Sequence, residues 1–139
     1  MSNDSTRQTF AKNIALVYGQ FHLDGIDIDW EYPAQPGDPR NYFAANDTAN
    51  FLAFLELLRT TLPSTARISA AVQATPFVDA NGLPMKDVGS FAAILDWVLI
   101  MNYDVWGGAC CVTAFASNCL MTSINPGSSF IEPWTECTP

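Results

Sequence analysis

Leu23-Asp-Gly-Ile-Asp-Ile-Asp-Trp-Glu-Tyr-Pro33 sets aspartates between β-branched residues and closes on a proline, which reads as one β-strand with an abrupt end. Successive side chains on a strand point to opposite faces, so Asp27, Asp29 and Glu31 share one face while Ile26, Ile28 and Trp30 share the other. A rise of about 3.3 Å per residue puts neighbouring acids roughly 7 Å apart along the backbone, near enough to couple once the side chains converge. Burying several like charges is expensive, so a strand that tolerates them is expected to use them. An edge strand could present such acids to water without any chemistry. Gly25, the apolar Ile26 and Ile28, and the clustering of acids toward the strand's C-terminal end, where α/β sheets carry their sites, argue for the functional reading.

Two carboxylates beside a third make the last reluctant to ionise, and a carboxyl that keeps its proton near neutral pH is a general acid. Glu31, with the longest arm and nearest the strand's mouth, is the expected donor, with Asp29 and Asp27 holding the countercharge. Cleavage of a glycosidic bond needs such an acid at the leaving oxygen. A site for a hard cation such as Mg²⁺ or Ca²⁺ is the competing use of alternating carboxylates, and catalysis is preferred to it.

Working outward, Thr9 to Gly19 carries Phe10, Ile14 and Val17 at helical spacing. Pro33 to Arg40 is a loop, and Asn46 and Asp47 are placed to cap a helix to about Thr60 with Phe51, Leu55 and Leu58 on one face and Pro63 beyond its end. Arg67 to Val72 reads as a second strand, Met85 to Asp96 as a helix through Val88, Phe91 and Leu95, and Trp97 to Tyr103 as a third strand. Helices alternating with strands predict a parallel α/β layout. At about 30 residues per unit the chain holds three strand and helix units, where a closed eight-unit barrel takes about 250 residues.

The 139 residues allow one domain at most, and 49% hydrophobic against 14% charged residues argues against disorder. Six basic residues against fourteen acidic give a net charge of −8, which excludes nucleic acid as an expected partner. Mean hydropathy is +0.11 and the apolar runs fall short of the roughly 18 residues a membrane helix needs, so no membrane is expected either. The polar start Met1-Ser-Asn-Asp-Ser lacks the apolar core of a secretory signal, which taken literally keeps the chain in the cytoplasm. Cys110, Cys111, Cys119 and Cys137 match no zinc spacing and allow three disulfide connectivities, and His22 is the one histidine.

The run from Leu23 to Pro33 resembles the Asp-Gly-x-Asp-x-Asp-x-Glu signature of glycoside hydrolase family 18 chitinases, and Met101-Asn-Tyr-Asp104, followed by Val-Trp-Gly107, is similar to the Met-x-Tyr-Asp segment of that family two strands further on. The likeness covers about residues 8 to 107. It implies an α/β fold, an incomplete (β/α)8 TIM barrel covering roughly strands 4 to 6, with residues 1–107 as a partial catalytic barrel and 108–139 as an irregular, cysteine-containing tail. It also implies retaining cleavage of β-1,4 bonds between N-acetylglucosamine units of chitin, in which the substrate's own acetamido oxygen is the nucleophile. In that scheme Glu31 protonates the leaving oxygen, Asp29 bonds the acetamido N–H, Asp27 shares its proton, and Tyr103 donates to the acetamido oxygen. Asp104 contacts the sugar, Met101 lines the pocket floor and Asp24 supports the strand. No metal or organic cofactor is implied, the partners are chitin or its oligosaccharides, and the place of action is extracellular.

The family's Ser-x-Gly-Gly segment is absent, and the join after Gly107 suggests a truncated frame, a retained intron or a frame change. A lectin-like relative that binds chitin or another glycan without turnover, an inactive fragment, and a hydrolase of the chitobiose core of N-glycans are the alternatives; retention of Glu31 favours turnover. Trp30 is expected to pack beneath the helices and Trp97 to be core, whereas Trp106 either flanks a sugar or lies exposed. His22 is placed away from the chemistry, and Thr75 to Val78 at the functional mouth.

Overall fold

In the computed structural model, residues 2–75 and 77–102 are described. The element order is α1 (Asp4–Phe21), β1 (Gly25–Asp29), α2 (Asp47–Thr61), β2 (Arg67–Gln73), α3 (Gly89–Ala92) and β3 (Trp97–Met101). The strands form one sheet in the order β1-β2-β3, with β1 and β2 parallel and Gly25 to Asp29 paired in register with Arg67 to Ala71. This is the alternation expected from the sequence.

Local chemistry accounts for most boundaries. The Asn3 side chain caps α1 by accepting from the Thr6 N–H at 2.8 Å, and His22 ends the helix in the left-handed region at φ 50. At the start of α2, Asn46 makes no side-chain cap bond. Instead the neighbouring Asp47 reaches backward, accepting from the Ala44 N–H at 2.6 Å, and its charge sits in the helix's first turn where the dipole favours it. Leu62, held extended before Pro63, ends the element.

The apolar stripe of α2 supplies the core: Phe51, Phe54, Leu55 and Leu58 are at most 1% exposed and pack with Ile68, Ala70 and Val72 of β2. Burial of each large side chain contributes roughly 1.5–3 kcal/mol. Phe51 sits at the centre of an aromatic group, edge-on to Trp30 at 5.5 Å and to Phe77 at 6.0 Å, while Phe77 stacks on Phe91 at 4.0 Å. Trp30 therefore lies on the core side of the acidic strand, as its alternation requires.

Two expectations are corrected. The helix expected over Met85 to Asp96 shrinks to Gly89–Ala92. Met85 is committed elsewhere, donating its N–H to the Phe77 carbonyl beside an antiparallel bridge between Val78 and Pro84, and the Asp87 carboxylate takes the Gly89 N–H at 2.7 Å in a turn. Phe91 and Leu95 are still buried, so the periodic spacing marked a buried side without a long helix. Trp97, expected in the core, is 48% exposed, because β3 is an edge strand among the described residues and its run to Ile100 is covered on neither face.

Gly25 begins β1 opposite Arg67, and a Cβ there would stand 2.6 Å from the Arg67 carbonyl oxygen and 2.8 Å from its Cβ. Since the obstructing atoms are backbone and its first side-chain carbon, the strands must separate. Gly25→Ala is expected to cost roughly 1–3 kcal/mol and to lower Tm by about 5 °C or more; an unchanged thermal melt would contradict this.

At the N-terminal ends of β2 and β3, Asp96 ties three elements together. Its carboxylate accepts from Arg67 Nη1 at 2.7 Å, Arg59 Nη2 at 2.8 Å and the Ile68 N–H at 2.9 Å, while Arg59 also donates to the Ala66 and Ile94 carbonyls. The Ile68 N–H first, then the two guanidiniums, hold the Asp96 carboxyl well below the usual carboxylate range. A carboxylate depressed in the folded state adds stability that is complete above its unfolded value near 3.9 and is lost as pH falls toward the lower folded value. Asp96→Asn is therefore expected to melt lower than the parent at pH 7 and to lose less on going to pH 3. Parallel declines in thermal melts at the two pH values would remove Asp96 from the acid response.

No helix among the described residues is long and apolar enough to cross a membrane. The four cysteines, Tyr103, Asp104, Trp106 and the whole of 108–139 lie outside the described residues.

Candidate active site

β1 carries Asp27 and Asp29, and Glu31 follows two residues beyond its end. Asp27, Asp29 and Glu31 are exposed, while Ile26, Ile28 and Trp30 are partly buried against the core. Parallel pairing with β2 fixes the row from one side, and the Asp24 carbonyl accepts the Arg67 N–H at 3.0 Å just ahead of it. The Glu31–Tyr32 peptide is cis.

Asp29 and Glu31 face one open cleft of about 400 Å³, together with Trp30, Asp38 and Asn41. A second hollow of about 440 Å³, lined by Phe10, Asp27, Ile28, Asp29 and Trp30, runs along the strand. Asp27 and Asp29 thus share one hollow, and Asp29 and Glu31 another. Tyr103, Asp104 and Trp106 lie outside the described residues, and Met101 ends β3 as a buried residue. A larger open cleft of about 610 Å³, lined by Arg59, Ser64 and Asp96 among others, lies at the opposite end of the sheet, away from the acid row.

The sequence reading did not single out Ser69. This residue is 4% exposed on β2, lies in register with Asp27, and donates its hydroxyl to Asp27 Oδ1 at 2.6 Å. A buried hydroxyl with a short bond to a carboxylate fixes that carboxylate's rotamer and shares its charge. The available signal was one polar residue inside Ile-Ser-Ala-Ala-Val, which becomes informative once the register is known.

The loop after the acid row is also built tightly. A Cβ on Gly37 would fall on the Glu31 carbonyl oxygen and come within 2.9 Å of its carbon and 3.3 Å of the Tyr32 nitrogen. Asp38 accepts from Arg40 through the backbone N–H at 2.8 Å, Nε at 2.9 Å and Nη2 at 3.0 Å, and the guanidinium contact first, then the backbone one, lowers its carboxyl to about 2. Ala34 occupies the left-handed region at φ 58 with its methyl buried, a conformation that alanine adopts at a cost of roughly 1 kcal/mol. His22 caps the C-terminal end of α1, ahead of β1. Among the described residues no three His, Cys, Asp or Glu side chains gather closely enough to hold a metal ion.

The family model for glycosyl hydrolases family 18 matches residues 1–135, reaching beyond the stretch that carried the resemblance, and the chain belongs to that family. A chitinase-like effector of Moniliophthora roreri is 45% identical over 109 residues, covering 77% of this chain and 26% of its own length. The crystal structure of a chitinase from Rhizomucor miehei superposes with a TM-score of 0.70 at 38% identity, over 74% of this chain and 33% of that one. A catalytic domain of a group II chitinase from Ostrinia furnacalis, solved in complex with penta-N-acetylchitooctaose (NAG)5, gives a TM-score of 0.61 at 28% identity, over 73% of this chain and 26% of that one. The chain thus spans between a quarter and a third of these relatives.

Proposed function

We propose that residues 1–107 form part of a (β/α)8 barrel, its strands 4 to 6, that cleaves β-1,4 linkages between N-acetylglucosamine units of chitin with retention of configuration. The observation that carries this reading is the acid row: Asp27 and Asp29 exposed on β1 and Glu31 exposed two residues beyond it, with Asp29 and Glu31 in a single cleft. Glu31, at the open end, protonates the leaving oxygen as the substrate's acetamido oxygen attacks the anomeric carbon, and then takes a proton from the incoming water. Asp29 accepts from the acetamido N–H and balances the positive oxazolinium ring. Asp27, held by Ser69, shares a proton with Asp29, so that charge moves along the row as the reaction proceeds. Tyr103 donates to the acetamido oxygen, Asp104 and Trp106 contact the sugar, and Met101 lines the floor. These steps ask for no metal or organic cofactor. An insoluble polysaccharide is met outside the cell, which makes the place of action extracellular.

A second reading, glycan binding without turnover, is compatible with the relative named as a chitinase-like effector. The purified chain, incubated with a chromogenic chitobioside and separately with chitin beads, separates the two. Slow chromophore release supports hydrolysis, since the three strands among the described residues supply only part of a closed barrel. Retention on chitin without release moves the assignment to binding, and neither result overturns both.

A further inference from the structure

The cleft that holds Asp29 and Glu31 has a third carboxylate in its wall, Asp38, which comes from the loop after the strand. Local sequence explains how it is held. Asp38-Pro39-Arg40-Asn41 is a tight turn in which the Asn41 N–H donates to the Asp38 carbonyl at 2.8 Å, with proline at the position whose fixed φ suits the bend. The turn folds Arg40 back on Asp38: its backbone N–H and Nε both donate to Oδ1, at 2.8 and 2.9 Å, and Nη2 donates to Oδ2 at 3.0 Å. Gly37, pressed against the Glu31 peptide, fixes where the turn stands. A carboxylate given three donors by one neighbour stays ionised, yet its charge is matched by the guanidinium in contact with it. The Arg40 side chain is 90% exposed, so the pair adds little to stability.

We propose that Asp38 and Arg40 form a charge-balanced positioning pair for Glu31, in which Arg40 cancels the charge that Asp38 brings into the cleft, so that the strand acids and not the loop set the proton affinity of Glu31. The titratable groups lining the two hollows along the row are Asp27 and Asp29 of β1, Glu31 and Asp38; β2 adds the Ser69 hydroxyl on Asp27, and α1 adds Phe10. Among the described residues that line these hollows none is a cation, so Arg40 balances Asp38 from outside the wall. An unbalanced negative charge strengthens the hold of a neighbouring carboxyl on its proton, and an unbalanced positive charge weakens it. Removing either half of the pair must therefore move Glu31 in opposite directions.

This inference rests on Glu31 being the proton donor of the preceding section, and the test separates the two. Glu31 is titrated in the full chain by NMR of its isotope-labelled carboxyl carbon, in the parent, Arg40→Gln, Asp38→Asn, the double variant and Arg40→Lys. Both side chains stand outside the packed core. Arg40→Gln leaves Asp38 unbalanced and is expected to raise the Glu31 midpoint by roughly 0.3–1 pH unit, the size of one charge acting through a mostly aqueous path. Asp38→Asn leaves the guanidinium unbalanced and is expected to lower the midpoint by a similar amount. The double variant and Arg40→Lys should return close to the parent, and raising the salt should shrink both single shifts. A loop that merely loosens would move both single variants the same way and would not be restored in the double; that pattern overturns the pair, as does a Glu31 midpoint indifferent to either substitution. Chromophore release from the chitobioside is followed against pH in the same set, and its basic limb should shift with the midpoints. Opposite midpoint shifts with no release in the parent overturn the hydrolytic reading and leave the pair standing.

Discussion

Glu31→Gln is expected to lower chromophore release from a chitobioside by roughly 10²- to 10⁴-fold, the range that removal of a positioned general acid produces. The amide matches the carboxyl in size and retains hydrogen-bonding capacity but has no proton to give to the leaving oxygen. Glu31 is exposed two residues beyond the end of β1, outside the packed core. Oligosaccharide binding should persist, because binding needs shape and hydrogen bonds where cleavage needs proton transfer. Release rates measured beside thermal melts decide the matter. A variant as active as the parent would remove Glu31 from the chemistry and with it the proposed mechanism.

The second large effect belongs to a residue without a functional side chain. In Gly37→Ala the new methyl falls on the Glu31 carbonyl, with the Glu31 carbon at 2.9 Å, and every obstructing atom is backbone. The loop or the Glu31 peptide must therefore move. A displacement of about an ångström in a catalytic group can reduce turnover about a hundredfold. We expect kcat to fall by that order with a smaller change in KM, since the cleft walls formed by β1 remain. A purely structural role would reduce the amount of folded protein and leave kcat per folded molecule intact, so active-site titration or normalisation to the folded fraction separates the two. Gly19→Ala is the matched control: a Cβ there meets nothing within 4 Å, and activity should be unchanged. Equal kcat in the Gly37 variant and the parent would free Glu31 from the loop's control.

The acid row illustrates how far a local pattern reaches. Alternation on a strand has period 2 whatever the strand pairs with, so the separation of Asp27, Asp29 and Glu31 from Ile26, Ile28 and Trp30 was readable from eleven consecutive residues. The α2 stripe of Phe51, Leu55 and Leu58 was readable for the same reason at period 3.6, and all three are buried. Ser69 was not, because it lies 42 residues from Asp27 and becomes its partner only through the parallel register of β1 and β2. The same limit applied to α3. Val88, Phe91 and Leu95 repeat as a helix does, but the backbone bond from Met85 to Phe77 drew the start of that stretch into a different turn.

The amino-acid order alone settled the family, the alternating helix and strand plan, and the face on which the acids stand, since each depends on contacts between near neighbours in the chain. Folding in three dimensions decided what no window of sequence contains. It brought the buried hydroxyl to Asp27, joined Arg59, Arg67 and Asp96 at the far end of the sheet, and set Gly37 against the Glu31 peptide. These arrangements depend on strand register and backbone approach, which are set when separate segments pack.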